Sequence, residues 1–213
     1  MLRSRPRPQV RARASVYSCW SLLCCVLAPL VADAQSSCPP QGDATDSRAR
    51  ALNRLKNRTD APASYVPVSV PELLALPSGA PDSRGIVLEG FIVTAKQSGP
   101  ESANCHSQRD LDFHVSIAAD AATDPSAAQV ARARSVIVEP TPWTQRTLGL
   151  HLRILQKLAR DGARVRIYGW QLFDPQHPDQ LGRTRGTLWE VHPVTRIDVW
   201  SDGAWRPLSG GAS

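Results

Sequence analysis

Five stretches of the chain carry the apolar patterning of strands, and one carries that of a helix. Ile86 to Lys96 is a β-branched run interrupted by Gly90, where a strand is expected to bulge or bend. Leu111, Phe113, Val115 and Ile117 alternate with Asp112, His114 and Ser116, the period of a half-buried strand, and Ser135 to Glu139 reads as a third, short one. Between Thr144 and Asp161, Leu148, Leu152, Leu155 and Leu158 recur at helical spacing, with Gly162 as the stop signal. Val165 and Ile167 then alternate with Arg164 and Arg166, and Gly169 shifts the frame before Trp170 and Leu172. Last, Trp189, Val191, Thr195, Ile197 and Val199 share one face of a long strand or bent pair, with Pro193 marking an edge or corner.

Three strands, a helix and two strands is the order of a mainly β, five-stranded, OB-like Greek-key barrel with its helix between strands three and four. An open antiparallel sheet carrying a helix fits the same order, but the glycines at 90 and 169 sit where a barrel needs sharp coiling. The expected barrel domain spans 84–208. Before it, 35–83 is rich in Pro, Ala, Ser and Asp and predicts an arm lying on the barrel, with one short helix near Val70 to Leu76. A cationic run in the arm (Arg48, Arg50, Arg54, Lys56, Arg58) reads as a solvated segment.

The net charge of +6 changes little, because +4 of it falls in the first 34 residues, where five arginines face one acid. The rest of the chain is only +2, without the basic field of a typical nucleic-acid binder. Residues 1–34 themselves have a basic, acid-free start, an apolar run over 16–32 and a small-x-small end at Ala32-Asp33-Ala34. That is the pattern of a signal peptide cut after Ala34, which predicts a periplasmic or secreted bacterial protein. After residue 34 no apolar stretch is long enough to span a bilayer, so no membrane contact is expected once the signal is cleaved. Cleavage would leave Cys38 and Cys105 as the cysteines of the mature chain, and an oxidising compartment predicts that they pair.

The most specific run is Arg185-Gly186-Thr187-Leu188-Trp189-Glu190-Val191-His192-Pro193. With the Cys105 to His114 segment, it resembles a group of uncharacterised exported bacterial proteins that end in a Trp-Glu-(Val/Ile)-His-Pro strand. The resemblance covers about the last 130 residues and implies one coherent domain there; it implies no activity.

Two candidate chemistries follow. Asp110, Asp112 and His114 leave one strand face, and Glu190 and His192 leave another, so together they supply the ligands of a metal-dependent hydrolase of phosphodiester type. With strand three between them the two clusters should stand about 10 Å apart, and the expected reading is a solvated or network-forming outer face. Alternatively, the loops 97–109 and 174–186 flank the ligand groove of an OB barrel, where Arg109, Arg183 and Arg185, with Tyr168 and Trp170 as stacking surfaces, suit an anionic oligosaccharide, a peptide carboxylate or single-stranded nucleic acid. Nucleophile elbows, phosphate loops, His-Glu-x-x-His and Cys-x-x-Cys are missing, and no cofactor is expected. The sequence therefore predicts an exported binding or structural module, with the hydrolase as the alternative.

Overall fold

The computed structural model describes residues 38–208, and the expected signal segment lies outside the described residues. In chain order the elements are α1 (Ser47–Lys56), β1 (Val66–Ser69), α2 (Val70–Ala75), β2 (Gly85–Gln97), β3 (Phe113–Ala118), α3 (Pro125–Arg132), β4 (Val136–Val138), α4 (Pro142–Thr147), α5 (Leu152–Arg160), β5 (Arg164–Phe173), β6 (Trp189–Ser201) and β7 (Ala204–Pro207). β2 pairs antiparallel with β3 and β3 with β4; β4 runs parallel to β6, β6 antiparallel to β5, and β5 returns to β2. The five strands thus close in the order β2-β3-β4-β6-β5, that of an OB-type barrel, with α4 and α5 joining its third and fourth strands. Phe113, Ile167, Trp189 and Val191 pack in the interior, as the alternation requires.

Closure depends on local devices that the pattern placed. β2 stays continuous through Gly90, pairing with β5 before it and with β3 after it. At Gly169 the β5–β6 register shifts, and a Cβ there would stand 2.4 Å from the Pro193 carbonyl oxygen. β6 runs on through Pro193, which follows a cis peptide bond.

Three expectations need correction. The single helix over 144–161 is two, because Gly149 adopts a positive φ of 59° after α4 and the chain restarts at His151, the N-cap of α5. The cationic run up to Lys56 is helix α1, started by the Asp46 carboxylate accepting from the Ala49 N–H, and Arg58 lies just past its end. Its arginines face outward while Asn53 and Lys56 are buried, so its inner face is polar and gives no apolar signal. The arm is also more ordered than expected. β1 adds parallel to β2, α2 carries a full Ser69/Glu72 capping box at the expected place, and Cys38 pairs with Cys105 at a Cα–Cα distance of 5.7 Å. Helix α3 and the β6–β7 hairpin complete the chain.

Candidate functional site

Three strands build the site side by side. Val115 on β3 pairs with Val138 on β4, which pairs with Val191 on β6. One residue further along, His114, Glu139 and His192 therefore form a row on the outer face of the barrel, about 4.8 Å from strand to strand. One contact in the row is at hydrogen-bond distance, His114 Nε2 2.7 Å from Glu139 Oε1, and the other is a looser charge pair, His192 Nδ1 3.4 Å from Glu139 Oε2. The two clusters, expected about 10 Å apart, therefore meet, because Glu139 on the strand between them contacts both histidines. Glu190, two residues before His192, reaches back to its Nδ1 at 3.1 Å. Asp112, just ahead of β3, places Oδ2 3.5 Å from His192 Nε2.

The face, expected to be solvated or network-forming, is a buried network. Glu190, His192 and Arg185 are fully buried, Asp112 and Glu139 nearly so, and the His114 side chain keeps 11% of its exposure. The cover is the arm. Asn53 of α1 donates to Ser102 Oγ and Asn57, just past its end, to the Ala103 carbonyl, in the loop between β2 and β3 that also holds Cys105. Lys56 spans to the other side, with its Nζ 3.2 Å from Glu101, 2.9 Å from Asp174 and 3.2 Å from Gln176 Oε1. Helix α1 therefore bridges the β2–β3 and β5–β6 loops, the two loops that flank the ligand face of an OB barrel.

Burial and charge oppose each other throughout the cluster. Burial pushes the Asp112 carboxyl up to about 7 despite the nearby His192, and raises Glu190 as well, with the Glu139 charge adding to it. Burial would also raise Glu139, but His114 and His192 outweigh it and hold that carboxyl well below its usual range. Against its own desolvation, His192 is raised to about 9 by Glu139, Glu190 and Asp112, and His114 is raised chiefly by Glu139. Lys56 is likewise held in its charged form by Glu190, Asp174, Glu101 and Glu139. Four buried side-chain atoms at the centre have no protein hydrogen-bond partner: His192 Nε2, Glu139 Oε2, and Nε and Nη2 of Arg185. Asp112, Glu139 and His192 each bring a donor atom within 4.8 Å of the others, and so do Glu101, His114 and Glu139.

Of the five residues expected for metal chemistry, Asp112, His114, Glu190 and His192 converge, whereas Asp110 stays apart beside Arg146 at 3.7 Å. The expected anion groove does not assemble. Arg185 is not on an exposed loop but buried, its Nη1 3.4 Å from Glu190 Oε2. Arg183 is exposed, and Arg109 lines a 410 Å³ cavity with Arg146 and His151. Tyr168 lines a different cavity of 780 Å³ and bonds Asp198, and Trp170 lies under Arg58 at 4.2 Å and donates to the Asp60 carbonyl. The pattern missed Glu139, whose only signal was a charge closing an otherwise apolar strand, Asp174, which carried none, and Lys56, read as part of a solvated run but buried here.

Fold and site together define a closed OB-type β-barrel whose outer face holds two histidines and several carboxylates beneath a disulfide-tethered arm. No family model, curated protein or solved structure matches the chain. Among the described residues no helix is long and apolar enough to cross a membrane.

Proposed function

We propose that this chain is an exported binding module that holds a small ligand on the roofed face of its barrel. One observation carries the reading: on the face that OB barrels use for ligands, four buried polar atoms of His192, Glu139 and Arg185 have no protein partner, although their neighbours are tightly paired. Each such atom costs about 1 to 3 kcal/mol if nothing answers it. Holding is favoured over turnover of a polymeric phosphodiester, because the groups a hydrolase would use are covered by α1 and both loops. Export is supported by the signal pattern ending at Ala34 and by the Cys38–Cys105 bond, which suits an oxidising compartment.

Mass spectrometry of the protein recovered from the periplasm of an expressing bacterium tests both parts. The denatured chain should begin at Gln35 and show no free thiol, and the native species should carry added mass that denaturation removes. A native mass equal to that of the bare chain would overturn the binding role, and a chain retaining residues 1–34 would overturn export.

A further inference from the structure

We propose that the ligand is a single divalent transition-metal ion, bound by Asp112, Glu139 and His192, with His114 and Glu190 as the outer groups that orient those ligands. The inference rests on the reading of the roofed face as a ligand site, and deepens it.

Spacing is the first support. The 3.5 Å between His192 Nε2 and Asp112 Oδ2 is too long for a good hydrogen bond. Donors on one tetrahedral ion, each at roughly 2.0 to 2.2 Å, stand about 3.3 to 3.6 Å apart. Two of the four free atoms, His192 Nε2 and Glu139 Oε2, are on residues of this set, and these two are the ones a metal would take up.

The second support is what the remaining atoms do. A metal-bound imidazole usually passes its other N–H to a carboxylate, and His192 Nδ1 lies 3.1 Å from Glu190 Oε1. A metal-bound carboxylate is in turn anchored through its second oxygen, and Glu139 Oε1 lies 2.7 Å from His114 Nε2. Glu190 is itself held by the buried Arg185.

Charge is the third. On this face four buried carboxylates, Asp112, Glu139, Asp174 and Glu190, meet two permanent buried cations, Lys56 and Arg185. With neutral imidazoles the deficit is two, the charge of one divalent ion. Two protonated imidazoles would balance it equally well, and that closed ion-pair network is the rival the experiment separates. Imidazole with two carboxylates suits Zn²⁺, Mn²⁺ or Co²⁺ better than Ca²⁺ or Mg²⁺, which prefer oxygen alone.

The test uses the mature, oxidised protein, stripped with a chelator and titrated with Zn²⁺ by calorimetry and with Co²⁺ by visible absorption. One equivalent of Zn²⁺ should bind, and Co²⁺ should show the ligand-field bands of four-coordination. Asp112→Asn and His192→Gln should abolish binding, Glu190→Gln should weaken it about 10- to 100-fold, and His106→Ala, at an exposed histidine, should leave it unchanged. If the variants do not fold, the wild-type Co²⁺ spectrum decides alone, since absence of those bands overturns the proposal. So would lack of stoichiometric uptake, uptake indifferent to Asp112→Asn and His192→Gln, or equal affinity for Ca²⁺. An organic adduct in the native mass without metal would overturn the metal while leaving the binding module intact.

Discussion

Arg183 and Arg185 show how far two like residues can diverge within three positions. Arg183 is exposed, so Arg183→Ala should stay within about 0.5 kcal/mol of wild type. Arg185→Met removes the guanidinium paired with the buried Glu190 carboxylate, and should cost about 3 to 5 kcal/mol. Urea melts of the two variants, run side by side, measure the difference, and equal effects would contradict the buried pairing. Sequence pattern could not separate them, because a turn-rich segment reads as exposed throughout, whereas Arg185 is buried with its guanidinium against Glu190. Glu190 and His192 were legible, since strand alternation fixes which side chains share a face. Their burial was not, because that face is covered by polar groups.

At the scale of elements, α1 is held by contacts that lie far away in sequence. Its Lys56 clamps Asp174 across the two loops, and although burial alone would raise that carboxyl, Lys56 and the Gln176 N–H hold it below its ordinary value. A carboxyl depressed in the folded state gives stability that is full above about pH 4 and is lost as pH falls through the folded value. Melting temperature followed against pH should therefore drop below about pH 4 in the wild type, and Asp174→Asn, less stable at neutral pH, should show a shallower drop. The Cys38–Cys105 bond closes a loop of 67 residues, and its loss in Cys38→Ser/Cys105→Ser should cost on the order of 4 kcal/mol. Hydrogen exchange would locate that loss. Amides of α1 should exchange faster while those of β2 and β5 change least, and uniform acceleration would mean that the arm is integral to the barrel. Helix α2 was legible from its proline and capping pattern, and α1 was hidden because Asn53 and Lys56 stand where an amphipathic helix shows leucines.

For the molecule as a whole, the barrel was legible because five strands and a helical segment came in the one order that closes this way, and because interior positions alternate along β2 and β3, although β6 steps from Val191 to Val194 and Ile197 past Pro193 and leaves Thr195 out of the core. Phe113→Ala or Trp189→Ala should cost about 3 to 5 kcal/mol in denaturant melts, since both side chains fill the centre that closure creates. The cover has a consequence for the order of events as the chain folds. Lys56 meets Gln176 across 120 positions and Tyr65 meets Thr195 across 130, so neither contact can form until nearly all of the polypeptide is present. A chain emerging from its N-terminus holds its own lid in hand while the vessel is still being built. The lid's bonds to the β2–β3 loop can form first and those to the β5–β6 loop only later, so the arm is seated in two stages.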